Sequence, residues 1–273
     1  MRELAIRIEG STLRLGERLI WAGLSLAVDQ GEFLTVIGPN GAGKTSLLKV
    51  LLGMIPATGI VEVLGRVPRR GDARIGYVPQ RGELDQDLPM RARDLVALGV
   101  DGTRWGFGWA GFETRRRVEA ALAAVGAAAL ADVAVGHLSG GEQQRLRIAQ
   151  ALVGEPRLLL CDEPLLNLDL HHQREITDLL AGWSRRTGGT VVFVTHDINP
   201  VLAFTDRVLA VAGGRWAQGR PDEVLTTAAM SELYGSRVDV LRVHGRVLVV
   251  AETMEPLGDH HEHARDPVPR PRP

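Results

Sequence analysis

The sequence predicts an α/β protein built on a mainly parallel core sheet, with a helical segment inserted midway. Three observations carry this. Near-continuous apolar runs at 33–37, 158–161 and 190–195 read as strands buried on both faces, the habit of parallel sheets. Helical patterns alternate with them at 47–52, about 141–153 and 170–186, the rhythm of a sheet layered with helices. Between about 89 and 137, Arg, Ala and Leu recur at helical spacing around a Gly/Trp/Phe-rich loop, a texture unlike either flank.

In chain order, short β-type runs at 4–8 and 24–28 precede the first core strand, and runs at 59–64 and 74–78 precede the helical insert. After the last core strand, 237–251 reads as a hairpin turning at His244-Gly245, and 256–273 is rich in Pro, His and Arg, the composition of a disordered tail. The expected division is a main domain over 1–235, a hairpin extension over 236–255 and a tail over 256–273.

Composition narrows the function classes. The 273 residues carry 32 Lys+Arg against 33 Asp+Glu, a formal charge of −1, so no global field favours a nucleic acid. Cys161 is the single cysteine, which excludes an intrachain disulfide and a Cys-based zinc site and suits a reducing compartment. No stretch approaches the roughly 18 apolar residues of a spanning helix, and Met1 to Glu9 is charged throughout, without the apolar core of a signal peptide. The expectation is a cytoplasmic protein whose membrane role, if any, runs through a partner.

Gly38-Pro39-Asn40-Gly41-Ala42-Gly43-Lys44-Thr45 matches the phosphate-loop pattern G-x-x-x-x-G-K-S/T and lies between an apolar strand and an apolar helix, as its mechanism requires. Glycines let backbone N–H groups approach phosphate oxygens, and the helix adds its positive N-terminal end. Lys44 supplies the cation for the β- and γ-phosphates and Thr45 a hydroxyl for Mg²⁺. At 158–161 an apolar strand runs into Asp162-Glu163, placing two acids at the carboxyl end of a parallel strand, where open α/β sheets bind ligands. Asp162 can reach the Mg²⁺ shell and Glu163 the attacking water.

Between these elements stands Leu138-Ser139-Gly140-Gly141-Glu142-Gln143-Gln144, and here the chain resembles the ATP-binding cassette (ABC) family. The resemblance covers about 2–235 and implies a P-loop NTPase cassette with a RecA-like, mainly parallel core sheet, an N-terminal antiparallel β subdomain and an inserted α-helical subdomain. It implies that ATP lies on Gly38 to Thr45 and Ser46, while Ser139, Gly140, Gly141 and Glu142 meet the γ-phosphate of ATP held by an opposing subunit. Two cassettes would then sandwich two ATP molecules head to tail. Tyr77-Val78-Pro79-Gln80 resembles the Q-loop, implying that Gln80 senses Mg²⁺ and the attacking water. Asn167-Leu168-Asp169 resembles the D-loop, bringing Asp169 to the nucleotide, and Val194-Thr195-His196-Asp197 the switch motif, with His196 orienting Glu163. One position departs: Leu15 stands where the family usually stacks an aromatic on adenine, so the base needs another group. Trp21, close by, is assigned to the core, and His171 and His172 to the surface.

The resemblance implies integral-membrane permease subunits, an external solute-binding protein as an indirect partner, and residence at the cytoplasmic face of the membrane. Asp85-Gln86-Asp87-Leu88-Pro89 after the Q-loop, with Leu225-Thr226 and Leu233-Tyr234-Gly235, is similar to cassettes of bacterial zinc, manganese and iron importers. Siderophore importers share parts of that pattern, so an iron–siderophore or cobalamin-like chelate stays as the alternative cargo. Soluble cassettes of translation or DNA repair carry a second cassette or a long coiled-coil insert, which the short span between Lys44 and Asp162 does not hold. Trp105, Phe107, Trp109 and Phe112 form either a local core or a docking surface for the membrane subunit. Asp259-His260-His261-Glu262-His263 groups imidazoles suited to Zn²⁺ in the tail, or is merely solvated.

Overall fold

A computed structural model describes residues 3–80, 90–101 and 111–251. The 85–89 element, the aromatics Trp105, Phe107 and Trp109, and the histidine tail lie outside these residues. Strands β1 (Leu4–Leu15) and β2 (Arg18–Asp29) pair antiparallel, and β4 (Ile60–Val63) joins them in the order β2-β1-β4. Both long strands exceed the expected runs. The register between them shifts after Leu4, Ile8, Ser11 and Leu13, so the two-residue alternation that marks a strand is legible only in part of each.

The second sheet has six strands: β3 (Phe33–Ile37), β5 (Ile75–Val78), β6 (Leu158–Asp162), β7 (Thr190–Thr195), β8 (Arg207–Ala212) and β9 (Arg215–Gly219). Their order is β5-β6-β7-β3-β8-β9, parallel throughout except for β9. The pair β8–β9 was not anticipated, although the apolar run 208–212 followed by Gly213-Gly214 is itself a hairpin signal.

Alternate residues of the central strands feed two cores, as the period of a strand demands. Phe33, Leu159, Cys161, Val191 and Phe193 face one layer with α4 (Gly140–Leu152) and α5 (Leu170–Thr187). Leu34, Val36, Leu158, Leu160, Val192 and Val194 face the other with α1 (Lys44–Leu51) and the antiparallel sheet, where Trp21 is 1% exposed. Trp21 is thus a core residue, as expected. The inserted segment contributes α2 (Ala92–Asp101) and α3 (Phe112–Ala124), both packed on α4. Phe112, 85% exposed at the first turn of α3, belongs to no core. Short helices α6 (Pro221–Val224) and α7 (Thr227–Tyr234) lead to the hairpin of β10 (Val238–Val243) and β11 (Arg246–Ala251), which turns at His244-Gly245 as predicted. Its Leu241, Leu248 and Val250 are exposed.

The helical insert depends on a close approach at Gly99. A Cβ there would lie 2.1 Å from the Gln150 carbonyl oxygen and 2.6 Å from Val153 Cγ1, so a side chain must push α2 away from α4. Overpacking of this kind costs about 1–3 kcal/mol. Gly99→Ala should therefore lower the melting temperature by several degrees in a calorimetric scan; an unchanged melt would show that the two helices are not held at this distance.

Candidate nucleotide site

Strand order creates the site. Because β6, β7 and β3 are parallel neighbours, their carboxyl ends emerge side by side, and the loops leaving them are brought together. The loop after β3 wraps so tightly that two positions exclude any side chain. A Cβ on Gly38 (φ 154°) would lie 2.2 Å from the Val211 carbonyl oxygen, and one on Gly43 (φ 105°) 2.2 Å from Ile20 Cγ2. Gly43 caps α1, so the first free N–H groups of that helix open directly from the loop.

Lys44 follows, only 5% exposed. Its Nζ donates to the carbonyls of Gly38 at 2.8 Å and Pro39 at 3.2 Å, and stands 3.6 Å from Glu163 Oε1. The next residue, Thr45, donates its hydroxyl to Asp162 Oδ1 at 3.1 Å. Burial pushes the Asp162 carboxyl above the ordinary aspartate value; the Thr45 hydrogen bond opposes this and the neighbouring Glu163 charge adds to it. Tyr77, at the Q-loop strand, is raised to about 12 by burial and by the nearby Asp162 carboxylate.

Glu163 adopts φ 45°, a left-handed conformation that costs a non-glycine residue about 1–3 kcal/mol. Its N–H donates to the Val194 carbonyl at 3.0 Å, continuing the β6–β7 pairing by one residue. The turn aims the carboxylate back over the loop, where Oε2 meets His196 Nδ1 at 3.2 Å while Oε1 faces Lys44. A cleft of about 860 Å³ opens here, lined by the phosphate loop, Gln80, Glu163 and His196, with Leu15, Arg18 and Ile20 at one side. The arrangement holds a cation, two carboxylates and an imidazole around helix-terminal N–H groups, a set suited to a polyphosphate and a water.

Ser139, Gly140, Gly141, Glu142 and Asp169 do not line this cleft. They form a second cluster at the N-termini of α4 and α5. Ser139 caps α4, and Glu142 Oε2 accepts from both the Ser139 N–H and hydroxyl at 2.8 Å, bonds that hold its carboxyl below the usual range. Asp169 caps α5 and accepts from the His172 N–H at 2.9 Å, with its other oxygen 2.8 Å from His172 Nδ1. His171 is at the surface as expected, and His172, also at the surface, packs one side of its ring as well. Its half-buried ring lies against Gly141, where a Cβ would come within 2.6 Å of Cδ2. A carboxylate partner three residues upstream was the available signal. Tyr77 and Arg18 were also missed; the Arg18 guanidinium donates to the Gly41 carbonyl at 2.8 Å. Among the described residues no cluster of three or more His, Cys, Asp or Glu could hold a metal, and no helix is long and apolar enough to cross a membrane.

A parallel sheet carrying this loop, this carboxylate pair and this histidine defines a P-loop ATPase. A sequence profile described as ABC transporter matches residues 21–166. The zinc import ATP-binding protein ZnuC of Pseudomonas fluorescens (strain Pf0-1) is 33% identical over 268 residues, covering 97% of this chain and 91% of that protein. ZnuC of Paramagnetospirillum magneticum is 38% identical over 234 residues, covering 85% of this chain and 83% of its own length. Among solved structures, a transporter assigned to the metal-chelate type of ABC transporter, in an inward-facing conformation, superposes with a TM-score of 0.78 at 26% identity, covering 92% of this chain and 98% of that one. The chain belongs to the ABC transporter family and is an ATP-binding cassette, an ATPase whose hydrolysis is coupled to transport.

The raised Asp162 carboxyl gives a stability prediction. In the folded chain its ionised form is disfavoured, so ionisation subtracts stability at pH values above the folded value. That loss disappears below the ordinary carboxylate value of about 3.9, where both states hold the proton. Asp162→Asn removes the charge and keeps an oxygen for Thr45. Without nucleotide, it should melt above the wild type at pH 7, with the difference closing as the pH falls to about 4. A lower melt for the variant at pH 7 would contradict the assignment.

Proposed function

We propose that this chain is the ATP-hydrolysing subunit of an importer for a divalent metal ion, with zinc as the cargo, working beneath separate integral-membrane subunits at the cytoplasmic face. The observation that carries the motor is the Lys44–Glu163–His196 arrangement at the mouth of the phosphate loop. The zinc cargo is supported by the names of the relatives. The metal-chelate structural neighbour favours a second reading, in which the same motor drives uptake of an iron–siderophore or cobalamin-like chelate.

In this reading the triphosphate of ATP lies along Gly38 to Ser46, its oxygens taking the N–H groups of the loop and of the start of α1. Lys44 turns from the Gly38 and Pro39 carbonyls to the β- and γ-phosphates. The donor set beneath it is all oxygen: the Thr45 hydroxyl, the Asp162 carboxylate and the Gln80 carboxamide, which suits the hard cation Mg²⁺. The unneutralised buried charge of Asp162 suits it too. When bound, Mg²⁺ neutralises charge on the transferring phosphoryl group. Glu163 holds a water in line with the γ-phosphorus and takes its proton as the water oxygen bonds to phosphorus and the bond to the β–γ bridging oxygen breaks. His196 orients the Glu163 carboxylate and faces the γ-phosphate. At the mouth, Leu15 supplies an aliphatic face and Arg18 a planar guanidinium for the adenine.

The second cluster, Ser139 to Glu142 with Asp169, serves the ATP of an opposing copy, so two chains close head to tail on two nucleotides. A solute-binding protein completes the importer indirectly, by delivering cargo to the membrane subunits.

Two experiments test this reading. Glu163→Gln keeps the phosphate contacts but removes the base, so turnover should fall by about 10²–10⁴-fold while ATP still binds. ATP and Mg²⁺ should then hold the variant as a dimer on gel filtration, and a monomer with wild-type turnover would refute the role of Glu163. For the cargo, cells in which this gene carries Lys44→Ala should lose high-affinity ⁶⁵Zn uptake. Retained zinc uptake with lost siderophore-dependent growth would turn the reading to the chelate.

A further inference from the structure

The hairpin β10–β11 has little core of its own: Val238 and Val247 are its buried side chains among the described residues. An isolated two-stranded ribbon is marginal in water, so its order has to come from its attachments. Both of its outer edges are occupied by side chains. On the β10 edge, Ser231 of α7 bonds the N–H and the carbonyl of Val238, each at 3.0 Å, and Thr227 Oγ1 accepts from the Val240 N–H at 3.0 Å.

On the β11 edge a single residue, Asn199, takes both backbone polar groups of Val247. Its Oδ1 accepts from the Val247 N–H at 2.8 Å and its Nδ2 donates to the Val247 carbonyl at 2.9 Å, the pairing another strand would make. Asn199 lies three residues after His196. Its backbone N–H and its Nδ2 both donate to Asp197 Oδ1, at 2.9 and 2.7 Å, and Asp197 is tied to Thr195 in both directions, at 2.8 and 3.1 Å. Ile198 and Val201, on either side of Asn199, are buried in the same core as Val238 and Val247. The exposed His196 ring thus stands on a short turn whose far end is fastened to the C-terminal hairpin.

We propose that Asn199 is a positioning residue for ATP hydrolysis: by bonding both backbone groups of Val247 it fixes the turn that carries His196 to the C-terminal hairpin, and so holds the imidazole at Glu163. The inference rests on the reading of His196 as the group that orients Glu163. It assigns to the hairpin an influence on turnover without any contact with nucleotide. Asn199 lines neither the nucleotide cleft nor the phosphate loop, so its loss acts on kcat and leaves the KM for ATP alone.

The test is steady-state ATPase on the full chain, with thermal melting to confirm folding. Asn199→Ala should lower kcat by roughly tenfold with KM for ATP within about twofold, the scale of losing one or two hydrogen bonds that act only on the reacting geometry. Val247→Pro removes the N–H that Asn199 receives, at an outer position of the ribbon, and should lower kcat by a similar factor. His196→Ala sets the floor, and the double variant Asn199→Ala/His196→Ala should be no slower than His196→Ala alone, because a residue acting through His196 has nothing left to position. If His196→Ala is impaired but Asn199→Ala is not, or if Asn199→Ala costs the same factor in both backgrounds, the positioning role is overturned while the reading of His196 stands. Wild-type turnover in His196→Ala would overturn both.

Discussion

The site depends on one electrostatic constraint: a nearly buried ammonium, Lys44, held among carbonyls of its own loop and facing Glu163 at 3.6 Å. Burying an amine is tolerable only where acceptors and a counter-charge surround it. The tight wrap at Gly38 supplies the carbonyls, and the left-handed turn at Glu163 supplies the carboxylate. Both follow from strands that end next to one another, so the parallel register of β6, β7 and β3 and the chemistry at their ends are one arrangement.

A second consequence is that the chain carries two anion-directed helix starts with different surroundings. The start of α1 opens into a cleft already furnished with a cation, carboxylates and an imidazole. The start of α4 opens outward, its cap satisfied by Ser139 and Glu142 and its flank braced by His172 against Gly141. The Asp169–His172 pair joins the two turns that would face a second copy, so the starts of α4 and α5 form one surface. One chain thus holds a complete phosphate loop and, elsewhere, a second helix start that does not line the same cleft. That separation of the two helix starts is what the proposed head-to-tail pair of copies would use.

Much of this was legible in the sequence because its signals are local. The phosphate loop, the acids after β6 and the histidine after β7 each sit at the end of a short apolar run, and 33–37 and 190–195 were read to the residue. The antiparallel sheet was half read, because register shifts break the alternation on which a strand is recognised. Contacts between distant segments were illegible in principle: the ring of His172 on Gly141, the hydroxyl of Tyr77 at Asp162 and the amide of Asn199 on Val247 depend on packing that no spacing encodes. Leu15, read at the position where the family stacks an aromatic, lines the cleft, and its neighbour Arg18 carries no periodic signal that would mark it.

Several unfavourable local features of this protein lie where the chemistry is, although Leu64, Glu155 and His244 adopt left-handed backbone elsewhere. Asp162 is buried with a raised carboxyl, and Glu163 and Asn167 adopt left-handed backbone within a few residues of it. Such features persist only if the surroundings over-determine them. The surroundings here are strands β6 and β7, buried along their whole length and packed on both faces, so the site sits on the buried centre of the sheet. The turn after β7 is the exception. His196 and Asp197 are exposed, and their order comes from hydrogen bonds rather than from burial. Of the groups lining the cleft, His196 and the likewise exposed Gln80 are therefore ones whose placement can change without disturbing the core. A motor that must switch between resting and hydrolysing states would be expected to move at such a turn, and the hairpin is fastened to it.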